Sequence, residues 1–401
     1  MTAPPARPRV LFLGHGAERL GPPVHLALLL EWLNRSRRID AEVVVARGGV
    51  LVEAYRASGA EVTVAARGRE PLEPFMAAAR RIGAPGVGRA VSARWLRSRL
   101  ARGNPPDLVY VNTVGPTTLA LLDAVERGAA PLLLHVHELE LGLSSVPGHD
   151  LSRLLGRADG MVAASQAVAD HLAHRHGVDP ARVTVAHGFV DVAGVRRAMQ
   201  RADRDATRRR LGVTASSIVV GSVGLPDWRK APEHLLTALW HLRRDRPDLD
   251  LHVVWVGGEK TSADGARLAD EAHRLGLGDR LHHVGHVEST VPLLAAMDLF
   301  VLPSREDAFP LAALEAAVAG LPVVAFASGG IVELVDATVG RVVAYPDTVA
   351  MAEAIEELAD APELRHRLGG GARARVVDRH DVGVGAPRVW AAAEALLDRC
   401  R

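Results

Sequence analysis

The chain has 401 residues, more than one hydrophobic core usually holds, so two domains are expected. Apolar residues make up 48% and charged residues 24% of the sequence, which is the composition of a folded globular protein and excludes a disordered or fibrous one. The net charge of +1 provides no overall field that would attract nucleic acid, so no nucleic-acid partner is expected.

Two further features concern where the protein acts. The lone cysteine, Cys400, excludes a disulfide framework and a cysteine-ligated metal cluster. No apolar stretch reaches the length of a membrane span, and the first residues lack the charged and apolar regions of a signal peptide. We therefore expect a cytoplasmic protein.

Short apolar runs alternate with longer stretches of helical periodicity, a pattern typical of βαβ units and a parallel sheet. A first set of strands is predicted at Val10–Leu13, Glu42–Ala46, Glu61–Val64, Leu108–Val111, Leu132–His135, Met161–Ala164 and Val183–Ala186. A second set is predicted at Ile218–Val223, Leu251–Val256, Leu281–Val284, Leu299–Leu302, Pro322–Ala325 and Arg341–Val343. The predicted class is α/β, with two Rossmann-like doubly wound domains. Because such sheets bind ligands beyond the carboxyl ends of their strands, one site per domain is expected, the two facing across a cleft.

A polar, arginine-rich stretch without a strand signal, residues 191–214, separates the two sets of strands. The first domain is therefore predicted to span residues 1–195 and the second residues 196–380. The last apolar helix, within residues 381–401, lies beyond the final predicted strand and could pack back on the first domain.

The most informative segment follows the predicted strand Leu299–Leu302. Asp307 lies in a loop, Pro310 suits the first turn of a helix, and Glu315 lies about two turns into that helix. The N–H groups and the dipole at the start of such a helix form an anion site. Carboxylates suit the vicinal hydroxyls of a sugar or ribose because each oxygen accepts two hydrogen bonds. A capped surface helix with ordinary acids is the alternative.

This segment resembles the acidic motif of the family-four glycosyltransferases, which are retaining enzymes with the GT-B fold. In that motif a carboxylate, seven residues and a glutamate follow a strand that ends in Pro-Ser. The resemblance implies that Asp307 faces the donor sugar and that Glu315 holds the ribose hydroxyls. Glutamate is more usual at the first position, and the neighbouring Glu306 could share the role of Asp307. The backbone expected to face the sugar and phosphates belongs to Ala308, Phe309, Pro310 and Leu311.

A second segment follows the first strand of the second domain. Gly224 lies in its loop, and the adjacent cations Arg229 and Lys230 precede a helix. Such a pair suits a diphosphate, because arginine can bond two oxygens at once and lysine supplies a compact positive charge. Without a bound anion, two cations at the start of a helix would be unfavourable against the helix dipole. A solvated cation pair is the alternative. The segment resembles the diphosphate site of the same family, with Ala231 in place of the usual glycine.

Two histidines, His135 and His137, share one side if their strand extends through residue 137. A metal site would need a third ligand, so no metal is expected. Other histidines lie on a different segment, at His171, His174 and His176. A hydrogen-bonded structural histidine is a second alternative. The family resemblance implies a third, in which His137 lies near the transferred sugar and Glu138 occupies the acid position.

The first βα turn, with Gly14, Gly16 and Gly21, resembles the glycine-rich loop that lines the acceptor side in this family. Asn112 and Glu138 are expected on that side too. The turn also fits a dinucleotide cofactor, but its third glycine is out of register and the second strand ends without a suitable acid. A nicotinamide dehydrogenase is therefore disfavoured.

Weaker resemblances span most of the chain and complete the expected site. Gly258 is placed on the donor side, and Val284 and Val287 near the nucleotide base. The residues to which the resemblance assigns catalysis are His137, Arg229, Lys230 and Asp307.

The implied function is that of a retaining, metal-independent glycosyltransferase without a cofactor. Its donor is a nucleoside-diphosphate sugar, with UDP preferred, and its acceptor is a small molecule, a glycan or a lipid-linked molecule. The alternatives are another GT-B enzyme, such as a nucleotide-sugar epimerase or a phosphorylase, and a nucleotide-sugar-binding pseudoenzyme. The pseudoenzyme is favoured mainly by three departures from the family pattern. These are Asp307, Ala231 and His187, the last of which stands where the family usually has asparagine.

Residues 67–102 are rich in arginine and include Val91, Trp95 and Leu100 as apolar anchors. They could form a basic helix that contacts a membrane surface. An ordinary helix with solvated arginines is favoured instead, because there are few anchors and arginine is abundant throughout the chain. The oligomeric state is not predicted.

Overall fold

The computed structural model describes residues 7–36, 38–66, 105–125 and 129–399. The chain divides into two compact units, of which unit 1 comprises residues 1–187 and 385–401 and unit 2 comprises residues 188–384. The sequence-based boundary near residue 195 lies inside the first helix of unit 2. Most of the carboxyl-terminal helix belongs to unit 1.

Unit 1 contains a parallel sheet with the strand order β3-β2-β1-β4-β5-β6-β7 in its described residues. The strands are β1 (Arg9–Gly16), β2 (Asp40–Arg47), β3 (Glu61–Ala66), β4 (Leu108–Asn112), β5 (Leu132–Val136), β6 (Gly160–Ala163) and β7 (Val183–Val185). Strand β1 lies between β2 and β4, so the strand order reverses beside it, which is where such sheets bind ligands.

The central strands of unit 1 are apolar runs because helices cover both faces of a parallel sheet. Every residue of β4 and β5 is buried. Among the described residues before residue 187, the helices are α1 (Gly21–Ser36), α2 (Val52–Ala57), α3 (Pro116–Ala124), α4 (Glu140–Ser144), α5 (Gly148–Arg157) and α6 (Gln166–His176). Helix α6 begins where the Ser165 hydroxyl accepts the Val168 N–H at 3.2 Å. It ends at Gly177, which has a left-handed φ of 63° that glycine adopts most readily.

Unit 2 repeats the arrangement with the strand order β10-β9-β8-β11-β12-β13. The strands are β8 (Ile218–Val223), β9 (Leu251–Val256), β10 (Leu281–Gly285), β11 (Leu299–Leu302), β12 (Val323–Phe326) and β13 (Gly340–Val343). The helices are α7 (Val192–Arg201), α8 (Arg204–Leu211), α9 (Pro232–Asp245), α10 (Ala263–Arg274), α11 (Val291–Ala296), α12 (Leu311–Ala319), α13 (Ile331–Leu334), α14 (Thr348–Asp360) and α15 (Pro362–Arg379). Trp255, Phe326 and Ile355 are among the side chains of its core.

The arginine-rich stretch between the two sets of strands is folded rather than a plain linker. It forms α7 and α8, and Arg208 of α8 is buried with only 3% exposure. Its guanidinium donates to the carbonyl oxygens of Thr214 and Ala296, each at 2.9 Å, and to the Asp298 carboxylate at 3.2 Å. These partners explain why a buried arginine is tolerated here.

The last helix, α16 (Val382–Arg399), begins at the end of unit 2 and continues into unit 1. There its Trp390 is buried, and Arg38 of unit 1 pairs with Glu394 at 2.9 Å. In the described part of the chain, no helix combines the length and the apolar character needed to cross a membrane. The arginine-rich segment 67–102, a candidate for membrane contact, lies outside the described residues.

The α/β class with two Rossmann-like parallel sheets is confirmed. Each strand predicted from the sequence has a counterpart, and the boundaries differ by only a few residues.

Candidate active site

The carboxyl ends of β8 and β11 lie side by side in unit 2, at the point where the strand order reverses. Gly224 follows β8 directly, and the loop that carries Asp307 follows β11. The topology therefore places both segments predicted to bind the donor at the same edge of one sheet.

An ion cluster of Arg229, Lys230 and Asp307 joins these two segments. The Lys230 ammonium donates to Asp307 Oδ2 at 2.5 Å, and Arg229 Nη1 lies 3.3 Å from the same oxygen. Lys230 and Asp307 are buried, whereas the Arg229 side chain is 34% exposed. Arg229 is therefore the member that solvent or a ligand reaches most readily.

The ion cluster carries one more positive than negative group. Burial lowers the pKa of Lys230 below its usual range, and the nearby Asp307 charge opposes that change. Burial pushes the pKa of Asp307 upward, but the charges of Lys230 and Arg229 outweigh it, so that this pKa lies below its ordinary value. Asp307 is thus ionised at neutral pH, and the charge of Asp227 also acts on Lys230. Within the cluster of three residues the cations outnumber the carboxylate, which suits a phosphate ligand.

The loop before α9 holds the two cations in place. Asp227 Oδ1 accepts the Lys230 N–H at 2.9 Å, and Ala231 adopts a left-handed φ of 48° where the helix begins. Arg305, from the neighbouring loop, donates to the Trp228 carbonyl oxygen at 2.6 Å and to Glu233 at 2.7 Å. These bonds tie the cation segment to the acidic segment.

Glycines allow the turns at this edge to approach one another. Gly224, Gly257 and Gly258 have φ values of 155°, 116° and 71°, in the region that side chains rarely adopt. A Cβ on Gly257 would lie 2.6 Å from the Gly224 carbonyl oxygen, and a Cβ on Gly258 would lie 2.4 Å from Pro226. The Gly224 carbonyl also accepts the indole N–H of Trp255 at 3.0 Å.

Helix α12 begins at Leu311, directly after the buried residues Ala308, Phe309 and Pro310. Its amino-terminal turn therefore continues the loop that carries Asp307, and helix starts of this kind attract anions. Glu315, on this helix, accepts the Thr290 hydroxyl at 2.9 Å. Glu306 approaches Arg229 through its backbone oxygen, at 3.5 Å.

A cavity of about 640 Å³ lies in unit 2 beside β10. Val284, Val287 and Lys260 are among its lining residues, together with Leu281 and His283. The two valines predicted to border the nucleotide base therefore line a space large enough for one, because ligand pockets start at roughly 300 Å³.

The corresponding edge of unit 1 holds a histidine cluster of His25, His135 and His137. The ring centroids of His135 and His137 are 3.9 Å apart, and the His25 ring lies 5.1 and 5.3 Å from them. His25 comes from α1, His135 from β5 and His137 from the residue that follows β5. Burial lowers the pKa of His25 to about 3 and the pKa values of the other two well below their usual range, so all three rings are neutral.

The groups around His137 are fixed by hydrogen bonds. Asn112 Oδ1 lies 3.2 Å from His137 Nε2, while Asn112 Nδ2 donates to the Pro22 carbonyl oxygen at 2.9 Å. Glu138 Oε2 accepts the N–H groups of Val114 at 3.1 Å and of His137 at 2.9 Å. Burial raises the pKa of Glu138 to about 8, even though these two N–H donors favour its charged form.

The structure corrects the predicted place of two glycines of the first βα turn, because Gly14 and Gly16 belong to the end of β1 and only Gly21 follows the strand. A Cβ on Gly16 would lie 1.9 Å from a Glu18 carboxylate oxygen, and one on Gly14 would lie 3.3 Å from Val45. Gly21 begins α1, and a Cβ there would meet no atom within 4 Å.

Comparison with known proteins assigns the chain to a family. Residues 49–193 match the model described as Glycosyltransferase Family 4, and residues 203–375 match Glycosyl transferases group 1. D-inositol 3-phosphate glycosyltransferase 1 of Catenulispora acidiphila is 33% identical over 290 residues, which are 66% of this chain and 67% of that protein. The chain belongs to the family-four glycosyltransferases.

Another family member, the D-inositol 3-phosphate glycosyltransferase of Actinosynnema mirum, is 34% identical over 269 residues. That match covers 62% of this chain and 63% of the relative, so the chain spans under two thirds of that protein's length.

Solved structures show the same fold over nearly the whole chain. HepE from Anabaena, solved in complex with UDP-glucose, has a TM-score of 0.75 at 22% identity and covers 97% of this chain and 99% of its own. Sucrose-phosphate synthase from Thermosynechococcus elongatus has a TM-score of 0.76 at 19% identity, with coverages of 98% and 100%. Likeness at this level of identity establishes the fold alone, and the GT-B fold predicted from the family motif is confirmed.

The structure separates the predicted site residues of this family-four protein into two groups, one in each unit. The donor-side residues lie in unit 2, where Arg229, Lys230 and Asp307 are in direct contact. In unit 1, the His137 ring contacts Asn112. The backbone N–H of His137 donates to the carboxylate of the adjacent Glu138. The roles assigned to these residues and to the glycines remain predictions.

Several residues that shape the two edges were missed by the sequence reasoning. Arg305, Asp227 and Thr290 support the donor-side residues. Arg305 and Asp227 lie within the two motifs, so motif spacing pointed to their vicinity but not to their bonds. His25 was missed because a histidine on the apolar face of a helix resembles any core position.

Proposed function

We propose that this chain is a retaining glycosyltransferase that transfers a sugar from a nucleoside-diphosphate sugar, without a metal ion on the diphosphate. The observation that carries the proposal is the ion cluster, in which two cations share one carboxylate beside the start of α12. The family supports the reaction class, and the geometry supports the chemistry below.

The donor diphosphate binds to Arg229, Lys230 and the first turn of α12. Breaking the bond between sugar and phosphate places negative charge on the departing diphosphate. Cations and N–H groups already fixed in position stabilise this charge without reorganising, and they do the work of a metal ion. Lys230 is held by Asp307 at 2.5 Å, so its position does not depend on the ligand.

The reaction exchanges one bond to the anomeric carbon for another. The acceptor oxygen bonds to that carbon on the face from which the diphosphate leaves, and the bond to the phosphate oxygen breaks. The acceptor proton passes to the departing diphosphate. Asp307 orients the sugar, and Glu315, which already accepts a hydroxyl from Thr290 at 2.9 Å, accepts the ribose hydroxyls.

UDP is the preferred nucleotide and the cavity lined by Val284 and Val287 receives its base. HepE, which shares the fold, was solved with UDP and with UDP-glucose, which supports this preference. The acceptor is a hydroxyl compound, either a small molecule, a glycan or a lipid-linked molecule. The names of the family relatives make D-inositol 3-phosphate the first small molecule to test. The glycines Gly14, Gly16 and Gly21, with Asn112 and Glu138, serve the acceptor.

The test is a donor and acceptor panel run in EDTA. UDP-, GDP-, ADP- and dTDP-sugars are incubated with D-inositol 3-phosphate and with other acceptors, and the nucleoside diphosphate released is quantified. We expect one nucleotide class to release diphosphate only when an acceptor is present. The anomeric configuration of the product, read by proton NMR, should match that of the donor.

A matched pair of variants ties the activity to the ion cluster. Lys230→Met should reduce turnover by about 100-fold or more, the usual effect of removing one preorganised charge stabiliser. Arg274→Met, which removes an exposed cation paired with Asp270 on α10, should leave turnover unchanged. Binding of a nucleotide without transfer to any acceptor would favour a pseudoenzyme. Activity that is lost in EDTA and restored by Mg²⁺ or Mn²⁺, the usual partners of phosphates, would refute the metal-free chemistry on the diphosphate.

A further inference from the structure

The histidine cluster brings three possible metal ligands together from distant parts of unit 1. One nitrogen from each of His25, His135 and His137 lies within 4.8 Å of the others. The sequence predicts no metal site because a third ligand is missing near His135 and His137. Helix α1 supplies it, since His25 packs against both rings.

The surroundings of His135 are unusual for an ordinary core histidine. The ring is completely buried, and its Nε2 has no hydrogen-bond partner among the residues that the structure describes. A buried polar atom without a partner bears the full cost of its removal from water. Bonding of that nitrogen to an ion would remove the cost, which hydrophobic packing alone does not.

Two of the rings are already oriented by oxygen atoms that contact the ring nitrogen not offered to the ion. The Tyr110 hydroxyl lies 2.5 Å from His135 Nδ1, and Asn112 Oδ1 lies 3.2 Å from His137 Nε2. Asn112 must present its oxygen to His137, because its amide nitrogen donates to the Pro22 carbonyl. His137 Nε2 therefore carries the proton, and its Nδ1 has a lone pair to offer. Metal-binding histidines are held by outer oxygens in this way.

We propose that His25, His135 and His137 bind one divalent transition-metal ion of the zinc type. Neutral imidazoles prefer Zn²⁺, Co²⁺, Ni²⁺ and Cu²⁺ over Mg²⁺ and Ca²⁺, which prefer oxygen ligands. Three protein ligands leave the fourth tetrahedral position to water. His137 is only partly buried, so an ion and its water can enter from that side.

The bound state requires a modest contraction of the cluster. Zinc–nitrogen bonds of about 2.0–2.1 Å place tetrahedral ligand nitrogens roughly 3.3 Å apart. Nitrogens that lie within 4.8 Å of one another must therefore close by up to about 1.5 Å, which small rotations of the rings provide. The ion is held by unit 1 alone and takes no part in binding the diphosphate. It shares His137 with the residues predicted for catalysis, so metal binding is measured separately from sugar transfer.

Metal binding can be measured without any substrate. The full chain is stripped with EDTA, dialysed, and titrated with Zn²⁺ by calorimetry and with Co²⁺ by visible absorption. We expect one ion per chain and the intense Co²⁺ bands of a tetrahedral site. His25→Leu should weaken binding at least about 100-fold, because it removes one of three ligands while filling the space.

Two further variants separate this site from incidental binding to histidines. Tyr110→Phe keeps all three ligands but removes an outer oxygen, and it should weaken binding about 10-fold even if His25→Leu fails to fold. His252→Gln disrupts the pair in which His252 Nδ1 lies 3.0 Å from His282 Nε2, and it should leave binding unchanged. Unchanged affinity in both His25→Leu and Tyr110→Phe, or weak octahedral Co²⁺ bands, would overturn the proposal.

Discussion

The histidine cluster and the ion cluster lie at equivalent edges of two sheets with similar topology, yet they differ in charge. Both are found near the carboxyl ends of strands beside the point where strand order reverses. In unit 1, burial without an opposite charge lowers the pKa of His25 to about 3 and keeps its ring neutral. In unit 2, Asp307 is also buried but stays ionised because two cations face it. Burial alone therefore does not determine whether a group is charged. The charges of the neighbouring side chains determine it as well.

The sharpest way to break this comparison is to remove the counter-charge from the ion cluster. Asp307→Asn leaves Lys230 buried without a carboxylate and should lower the free energy of unfolding by about 3–5 kcal/mol. The double variant Lys230→Met/Asp307→Asn should lose less than the sum of the two single variants, because it removes both charges together. Urea denaturation of the four proteins measures this coupling.

The control is the exposed pair Arg244 and Asp245, whose side chains are 2.7 Å apart at the surface. Asp245→Asn should not change the urea midpoint measurably. Strictly additive effects of Lys230→Met and Asp307→Asn would mean that the two groups do not depend on each other, contrary to the geometry.

A second comparison concerns the glycines of the two edges. Gly257→Ala should lower the free energy of unfolding by about 2–3 kcal/mol, because φ is 116° and the new methyl group would lie 2.6 Å from the Gly224 carbonyl oxygen. Gly21→Ala should change it by less than about 0.5 kcal/mol, since its methyl group enters open space. Equal losses from both substitutions, measured by urea denaturation, would show that the turns do not differ as described.

The charge on Asp307 also predicts a dependence of stability on pH. Its pKa in the folded chain lies below the unfolded value of about 3.9, so its contribution is complete above that pH and is lost as the pH falls through the folded pKa. As the pH falls from 5 to 3, the free energy of unfolding of the native chain should decrease by an amount that Asp307→Asn does not show. The unfolding free energies of the native chain and of Asp307→Asn, measured across this range, should therefore converge at low pH. If the two curves ran parallel, Asp307 would not be ionised in the folded chain.

The smallest expected effect is at Ala231, which has a left-handed φ of 48°. Glycine relieves a strain of about 1–2 kcal/mol there, offset in part by the greater freedom of the unfolded chain, so Ala231→Gly should stabilise by about 0.5 kcal/mol. Ala238→Gly, at a buried position inside α9, should destabilise by about 1 kcal/mol instead. Thermal and urea midpoints that shift in the same direction for both variants would contradict the strain at Ala231.

The sequence predicts the strands well because parallel strands covered on both faces are unbroken apolar runs, as in Leu299–Leu302. It also places Lys230 and Asp307 at one edge, since motifs that follow neighbouring strands meet there. It does not predict that the two groups bond directly, because that depends on how two loops fold against each other. The left-handed Ala231 is equally hidden, since alanine rarely adopts that conformation.

The histidine cluster shows a different reason for failure. His135 and His137 are two residues apart, and their shared side follows from strand geometry. His25 is far away in the sequence, and its approach depends on how α1 packs on the sheet. Local patterns carry no information about such a contact, so the third imidazole becomes visible only in three dimensions.

The position of α16 has a consequence for how the protein is made. Unit 2 interrupts unit 1 in the sequence, and the buried Trp390 reaches its place only after residues 188–384 have been synthesised. During translation, unit 2 can therefore complete its core while unit 1 still lacks its last helix. Unit 1 is translated first but completes its fold last. In a nascent chain that stalls before α16, unit 1 is therefore incomplete and more accessible to proteases and chaperones than unit 2.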